Sequence, residues 1–465
     1  MPSKLTPLAY IFIITLFPLL PACNGLRDLA DPESGGPAQT RVLPPSPQNW
    51  SGDPEKGFEY LVYGDYIGTG IPFSFLEKRL SGARDTVWNR TGNAGLLSYP
   101  FNAFSAYNGV EVVAGNCFTC HTSRMEGQLV PGLGNVESDF QKSIKFTATL
   151  TNVLVRQKYG RKSEEFKAFK EFGCFYKAIA PKIVTKNPGV NPAFRLEEAC
   201  VNYRNPADLS MQKHRNFKTP AYSLAADVPP LWNIAKKNAL YYNGMGRGDF
   251  SKLLMQASVL GIPDSTHARK VQRHFVDVVA WAAQLQPPPY PRAVDPVLVA
   301  KGKVLFEENC SRCHGAYGAK ETYPNKLVSL DEVGTDPYYA RYFSRVSGLG
   351  HWYNQSWFAN SSPASRMEPS EGYVAPPLDG VWATAPYLHN GSVPSLDALL
   401  HSTTRPAKWK RMDEYDHENM GWKYEESGKG RYDTSLPGYG NKGHYFGDHL
   451  SAEERKAVIE YLKTL

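Results

Sequence analysis

Apolar residues recur at helical spacing in three long stretches of the chain. Residues 264–285 and 295–309 each start with capping residues followed by apolar positions three and four residues apart, as in an amphipathic helix. Residues 451–465 repeat this pattern and open with a capping box formed by Ser451 and Glu454. The pattern therefore predicts a mainly α-helical protein in which a helix closes each half of the chain.

Proline-rich runs divide the chain into segments. Residues 23–55 are rich in Pro, Gly, Ser and Asp and cannot bury a core, so we predict a disordered tether there. Residues 286–291 read Gln-Pro-Pro-Pro-Tyr-Pro and predict a domain boundary. The first domain would cover residues 56–290, with a lysine-rich insertion at 140–204, and the second would cover residues 291–465.

The N-terminus has the features of an export signal. Residues 1–22 carry one positive charge and an apolar stretch that is too short, and too often broken by proline, for a membrane span. Their ending, Leu-Pro-Ala before Cys23, resembles a bacterial lipobox, and ordinary cleavage nearby is the alternative. We therefore predict a lipoprotein in the periplasm or cell envelope of a bacterium, in contact with the membrane through its lipid anchor only.

The pattern Cys-x-x-Cys-His occurs twice, at residues 117–121 and 310–314. In this pattern the two cysteines form thioethers with the haem vinyl groups, and the adjacent histidine ligates the iron. A thioredoxin-like redox pair or half of a zinc site is the alternative, but no βαβ pattern and no completing cysteine pair accompany either copy. We therefore predict two cytochrome c-like domains in tandem, each with one covalently bound haem c. The residues expected to hold the haems are Cys117, Cys120, His121, Cys310, Cys313 and His314.

Composition and charge add little to this prediction. Aromatic residues make up 12% of the chain, which suits the walls of a flat cofactor but is not specific. The 52 basic and 45 acidic residues are interspersed, so the formal charge of +7 predicts no nucleic-acid partner. Cys174 and Cys200 remain outside the haem motifs. In an oxidising compartment a disulfide between them is favoured over two separate buried thiols.

Residues 384–392 read Thr-Ala-Pro-Tyr-Leu-His-Asn-Gly-Ser. This segment resembles one found in bacterial dihaem cytochrome c peroxidases and MauG-type enzymes. Residues 229–233 (Pro-Pro-Leu-Trp-Asn) and 443–447 (Gly-His-Tyr-Phe-Gly) resemble most closely the branch that contains the dihaem rubber oxygenase. The resemblance covers approximately residues 56–465. It implies haem-based redox chemistry but does not separate a peroxidase from an oxygenase.

The resemblance also implies roles for individual histidines. His121 and His314 would be the proximal iron ligands, and His389 would lie near the second haem as an orienting hydrogen-bonding group. Where peroxidases of this group place a methionine ligand, this chain has Thr403, which is a poor iron ligand. His444 is therefore the expected sixth ligand of the second haem, by likeness to the rubber oxygenase branch.

The surroundings of the first haem are less clearly indicated. Trp232 lies in a segment that borders the haems in such enzymes, where an indole ring could shorten an electron-transfer path. A core aromatic explains it at least as well. Met245 is a minor candidate for a soft axial ligand. No residue matches the acid–base glutamate of the peroxidases, and we expect the first iron to be five-coordinate or water-bound.

These features predict an exported dihaem c-type cytochrome oxidoreductase. It would transfer electrons between its haems, react with a small-molecule oxidant (peroxide or dioxygen) at one of them, and exchange electrons with a redox partner protein. Two alternatives remain. One is a pure electron-transfer cytochrome without substrate chemistry, and the other is an oxygen-dependent oxygenase acting on an apolar organic substrate. Carbon-monoxide binding separates the electron carrier from the other two, because irons with six strong ligands bind it poorly.

Overall fold

The computed structural model describes residue 29 and residues 39–80, 85–220, 224, 226–426 and 431–465. These residues mix helices with short strands and are about 39% helical, so the expectation of a mainly α fold is corrected to a mixed one. The predicted signal peptide (1–22) and Cys23 lie outside the described residues. Within the described ranges, none of the helices combines the length and apolar character that crossing a bilayer requires.

The helices lie along the whole described chain. In chain order they are α1 (Pro54–Tyr63), α2 (Phe73–Leu76), α3 (Lys145–Tyr159), α4 (Glu164–Ile179), α5 (Ala193–Val201), α6 (Phe250–Leu254), α7 (Ser265–Gln284), α8 (Pro296–Asn309), α9 (Ser311–His314), α10 (Leu330–Val333), α11 (Tyr338–Arg345), α12 (Leu349–Gln355), α13 (Trp357–Asn360), α14 (Leu396–Leu400) and α15 (Ala452–Leu462). Short 3-10 turns connect several of them.

The strands are short and pair in small antiparallel sheets. They are β1 (Arg41–Val42), β2 (Ile71–Pro72), β3 (Phe101–Ser105), β4 (Glu111–Gly115), β5 (Thr122–Met125), β6 (Gln128–Pro131), β7 (Gly246–Gly248), β8 (Lys326–Ser329), β9 (Ser365–Met367), β10 (Gly372–Val374), β11 (Lys408–Asp416), β12 (Gly421–Glu425) and β13 (Tyr432–Asp433). The sheet orders are β1-β8-β10, β2-β4-β3, β12-β11-β13, β5-β6 and β7-β9.

The three long predicted helices are present, with the expected start signals. Asp264 caps α7, Asp295 caps α8, and Ser451 forms the predicted capping box at the start of α15. Helices α8 and α15 cross in close contact at Gly302. A Cβ atom there would lie 1.9 Å from the Ala457 carbonyl oxygen, so only glycine permits this approach.

Different secondary-structure elements precede the two Cys-x-x-Cys-His motifs. The second motif directly follows helix α8, as the apolar pattern predicts. The first motif follows the β3–β4 hairpin, in which Phe104 pairs with Val112. This hairpin explains why no helical period precedes Cys117: alternate residues of a strand, rather than every third or fourth, face the core.

The structure differs from the predicted tether over residues 39–53. Strand β1 pairs with β8, and Leu43 is buried against the body. Asp53 then caps α1, where its carboxylate accepts from two backbone N–H groups. Local composition did not indicate this, because the pairing partner lies almost 300 residues further along the chain.

The boundary at residues 290–291 separates two chain segments that nevertheless share their cores. One core combines Phe275 of α7 with Tyr339 and Phe343 of α11. A second core combines Met125 and Trp232 with residues of α15. Packing across the boundary therefore fixes the two halves against each other, and a cavity lies between them.

The insertion in the first half forms helices α3, α4 and α5. Cys174 lies on α4 and is exposed, whereas Cys200 lies on α5 and is buried. Both thiols are free, so the favoured disulfide between them is wrong. The two side chains lie in different environments although their helices are neighbours in the sequence.

Candidate haem sites

Beside the second motif, the structure contains a cavity of about 240 Å³. Cys310, Cys313 and His314 are part of its wall, since helix α8 continues into the turn that carries them. The wall from the second half is largely apolar and includes Phe306, Leu396, Leu399, Leu400, Val458 and Leu462. A flat apolar ring fits such a cavity, and two cysteines in its wall could hold that ring covalently.

His314 is oriented by a backbone carbonyl. Its Nδ1 lies 2.8 Å from the Pro376 carbonyl oxygen, and this partner requires a proton on Nδ1. Nε2 is then the unprotonated nitrogen and is available to a metal. Burial lowers the pKa of His314, so the ring stays neutral at neutral pH, as iron ligation requires.

His444 faces His314 across the cavity. The ring centroids are 6.2 Å apart, and the planes meet at 57°. Two metal–imidazole bonds of about 2 Å, with each ring centre about 1 Å behind its bonding nitrogen, add up to about 6 Å. Nδ1 of His444 is buried without a hydrogen-bond partner, and burial lowers the pKa of this ring to about 3. The pair therefore has the spacing and the protonation state of two axial ligands.

A strained loop presents His444. Its φ is 52°, and that of Gly443 is 81°, both in the left-handed region. A Cβ atom on Gly443 would lie 2.2 Å from backbone atoms of Gly334 and Thr335, so this position requires glycine. The His444 N–H donates to the Val333 carbonyl at 2.6 Å. Strain of this kind persists where the surroundings hold the backbone in place, often at functional sites.

Arg405 holds the same loop from the other side. Its guanidinium donates to the carbonyls of Asn441 at 2.6 Å, Gly443 at 2.7 Å and His444 at 3.3 Å. Thr403, two residues earlier, is exposed, and its hydroxyl lies 2.9 Å from His401 Nε2. The segment that contains Thr403 and Arg405 therefore positions the loop of His444.

His389 is buried in the wall of the same cavity. Its ring stacks on Tyr373 at 4.1 Å, and its Nε2 lies 3.1 Å from the Tyr373 hydroxyl. Burial lowers the pKa of His389 to about 3, so the ring is neutral. These contacts fix its orientation. The predicted orienting role is compatible with this position and stays a prediction.

The first motif forms a tight turn with its own polar supports. Asn116 caps the turn by accepting from the Phe118 N–H at 3.0 Å. The Cys117 N–H donates to the Tyr66 hydroxyl at 3.1 Å, and Asn191 Nδ2 lies 2.9 Å from Cys120 Sγ. The cysteines do not pair with each other, so both thiols are available for thioethers.

His121 resembles His314 in its surroundings, but no second imidazole faces it among the described residues. Burial lowers its pKa to about 4. Its buried Nδ1 makes no hydrogen bond of normal geometry, although the Pro229 carbonyl lies close enough to oppose this pKa shift. Among the described residues, the ring contacts include only one pair of imidazoles, His314 and His444. The two candidate sites are therefore unequal on their distal sides.

Three further histidines and Met245 have different surroundings. His267 bonds its capping residue Asp264, His274 stacks on Tyr60 at 4.4 Å, and His214 is exposed. Met245 is buried in the first core. Its suggested role as an iron ligand stays untested.

Trp232 connects the two motifs. It is fully buried, lines the cavity, and donates from Nε1 to the Asp379 carbonyl at 3.0 Å. Trp232 lies three residues after Pro229, beside His121, and Asp379 lies three residues after Pro376, the partner of His314. A short route of backbone and hydrogen bonds therefore runs from His314 to Trp232, and the backbone continues from this indole to Pro229 beside His121.

Sequence reasoning missed the proline carbonyls and Arg405. One signal was available, because Pro-Pro-Leu occurs at residues 229–231 and again at 376–378. In each copy, the first proline supplies the carbonyl beside a proximal histidine. Arg405 had no such signal, since its partners are backbone atoms brought together by folding.

Comparison with known proteins agrees with the donor set. Residues 299–372 match the cytochrome c family, so the second site is that of a c-type cytochrome, with covalent haem c as its implied cofactor. Residues 372–410, which include His389 and Arg405, match a family described as RoxA-like, cytochrome c-like. The chain is thus similar to the RoxA-like branch of these cytochromes.

Two curated relatives come from Sinorhizobium fredii, and both are described as uncharacterized. Protein y4iJ is 30% identical over 247 residues, which cover 39% of this chain and 41% of the relative. Protein y4iM is 27% identical over 295 residues, which cover 53% of this chain and 66% of the relative.

Proposed function

We propose that this chain is an exported dihaem c-type cytochrome oxidoreductase of the peroxidase/MauG type, similar to the rubber oxygenase branch. In this proposal the second haem has two histidine ligands and passes electrons, while the first haem reacts with peroxide or dioxygen. The observation that carries the proposal is the placement of the His444 ring, whose centroid lies 6.2 Å from that of His314. Among the described residues, no equivalent imidazole faces His121.

The inequality of the two sites supports a division of labour. A haem iron with two imidazole ligands suits electron transfer, whereas one with a free sixth position can bind an oxidant. His314 and His444 would saturate one iron. Cys117, Cys120 and His121 would hold the other from one side only, so this site is the candidate for oxidant binding.

The chain's own residues have clear tasks in this proposal. The carbonyl of Pro376 orients His314, and the loop clamped by Arg405 presents His444. Trp232 offers an aromatic step between the sites, because its ring is buried and hydrogen-bonded to the segment that orients His314. The mostly apolar cavity wall would pack against the ring of the second haem.

Two alternatives differ in what they predict for the first iron. A pure electron carrier requires a strong sixth ligand there. An oxygenase requires an open iron and an apolar substrate nearby. The absence of a facing imidazole among the described residues favours an open iron, and peroxide and dioxygen remain to be distinguished by experiment.

The test compares the wild type with His444→Ala by low-temperature EPR and carbon-monoxide difference spectra. The wild type should show one low-spin haem and bind one carbon monoxide per molecule, and His444→Ala should bind two. His401→Ala is the matched control, because His401 lies beside Thr403 on the surface and should leave both signals unchanged.

The outcomes separate the parts of the proposal. A wild type that binds no carbon monoxide would leave only the electron carrier. A low-spin signal that survives in His444→Ala would exclude His444 as a ligand. Stopped-flow spectra of the reduced protein with peroxide, and separately with dioxygen, then identify the oxidant.

Location and partners are proposed on the sequence alone. A lipoprotein anchored through Cys23 should partition into the detergent phase, and Cys23→Ser should abolish this. A soluble mature protein that begins elsewhere would contradict the anchor. The electron donor or acceptor is expected to be a redox protein of the same compartment.

A further inference from the structure

Lys237 lies in the wall of the haem cavity. It follows a 3-10 turn at Ile234–Lys236 and lines the same cavity as His314 and His444. Among the described residues, none forms a hydrogen bond or an ion pair with its ammonium group. Its neighbour Lys236 differs, since it pairs with Glu321 and, at 2.6 Å, with Asp379.

An unpaired ammonium group in such a wall is unfavourable. Burial lowers the pKa of Lys237 to about 8, and no neighbouring carboxylate counteracts this effect. A desolvated cation requires either a counter-ion or the loss of its proton. At neutral pH the group stays mostly charged, so an anion in the cavity would stabilise it.

The described residues of the wall do not provide that anion. Asp227 lies in the same wall, but it forms no ion pair with Lys237, and burial raises the pKa of its carboxyl group and so favours the neutral form. Asp379 is already bound by Lys236. Arg312, the other basic residue of the wall, differs from Lys237 because it pairs with Glu332 at 3.0 Å. An anionic ligand bound in the cavity would therefore be the counter-ion of Lys237.

We propose that Lys237 binds a propionate carboxylate of the haem held at Cys310 and Cys313. The proposal rests on the assignment of a haem to that site. The haem's carboxylates would face the polar segment that contains Asp227, Lys237 and Tyr242, and its apolar edge would face helices α8, α14 and α15. The Lys237 ammonium donates to the carboxylate oxygen, and no covalent step is involved.

This placement gives Lys237 an electrostatic role between the two sites. Its charge also acts on His121, whose pKa it lowers slightly. A positive charge close to a haem favours the ferrous state, because it repels the additional positive charge of the ferric state. Lys237 is thus a positioning and potential-setting residue for electron transfer.

The experiment uses the purified full-length holoprotein, with each haem followed at its own spin-state bands during spectroelectrochemical titration between pH 6 and pH 8. Lys237→Met should lower the potential of the second haem at pH 8 by about 59 mV, a tenfold change in its reduction equilibrium. The potential of this variant should rise as the pH falls, because an unpaired propionate takes up a proton. Lys237→Arg should restore the wild-type values.

The control is Lys213→Met, which removes an exposed lysine that does not line the cavity, and it should leave the second-haem potential unchanged. A Lys237→Met protein whose second-haem potential and pH profile equal those of the wild type would overturn the proposal. So would a shift confined to the first haem.

A second measurement covers the case in which Lys237→Met fails to load haem. The resonance Raman band of propionate bending should differ between the wild type and Lys237→Arg, because a guanidinium group binds a carboxylate in a different geometry. An identical band would contradict the proposal. Intact mass shows independently whether the second haem is present, and the potentials do not depend on whether the protein reacts with an oxidant.

Discussion

Replacing Arg405 should release His444 from the second haem. The guanidinium donates to three carbonyls of the loop, at 2.6 Å to Asn441, 2.7 Å to Gly443 and 3.3 Å to His444. A hydrogen bond from a charged donor contributes about 1.5–3 kcal/mol, so the two short bonds together stabilise the loop by about 3–6 kcal/mol. The left-handed backbone at His444 costs about 1–2 kcal/mol. The clamp therefore outweighs the strain, and without it the loop would depend on the bond from the His444 N–H to the Val333 carbonyl and on iron ligation.

The assay is the one used for His444→Ala, namely low-temperature EPR and carbon-monoxide difference spectra. Arg405→Ala should convert a substantial fraction of the second haem from low spin to high spin and raise carbon-monoxide binding above one per molecule. Arg405→Lys should give an intermediate result, since one ammonium group cannot replace the whole guanidinium fork.

Arg455→Ala is the matched control. Arg455 is also partly buried and donates to a backbone carbonyl, that of Leu450 at 2.8 Å. Its other hydrogen bond among the described residues goes to Asp397 and not to the loop of His444. This variant should lower thermal stability without changing the spin state. If Arg405→Ala and Arg455→Ala destabilise the protein equally and both keep the low-spin signal, Arg405 does not position the ligand.

Three further outcomes are expected. Gly443→Ala should also lose the low-spin signal, because its Cβ would lie 2.2 Å from the backbone at Gly334 and force the loop to move. The mature mass should exceed that of the polypeptide by two haems, and a wild-type mass with one haem would refute the dihaem assignment. Cys117→Ser should impair haem attachment at the first site alone. Cys174→Ser should leave attachment at both sites unchanged. Burial raises the pKa of Asp336 to about 6, so the folded protein holds this proton more tightly than the unfolded chain. The stabilisation is present below about pH 4 and is lost as the pH rises through about 6, and chemical denaturation should show that Asp336→Asn flattens this dependence.

Helix caps and the haem-attachment motifs could be predicted from the sequence, because residues close together in the chain form them. Helix starts at Asp264, Asp295 and Ser451 were predictable because a cap bonds backbone groups two or three residues away. The two Cys-x-x-Cys-His motifs were predictable for the same reason, since one turn brings both cysteines and the histidine together.

The position of His444, the proposed sixth ligand of the second haem, could not be predicted from the local sequence. His444 was proposed only by likeness to a family, because 130 residues separate it from His314. Its position depends on the left-handed backbone at Gly443 and on the Arg405 clamp, neither of which has a signature in local sequence. The pairing of β1 (Arg41–Val42) with β8 (Lys326–Ser329) was missed for a related reason, as short strands pair with distant partners and carry little periodicity.

The sequence by itself determined the cofactor chemistry and the helices next to it, because thioether formation, iron ligation and helix capping depend on residues within a few positions of each other. Tertiary structure alone decided that the cores combine residues from both sides of the predicted boundary at residues 290–291 and that Cys174 and Cys200 remain free thiols. It also decided that Lys237 lines the cavity without a partner among the described residues. These features arise where distant segments pack together, and the burial and charge of a side chain there depend on neighbours that the local sequence does not specify.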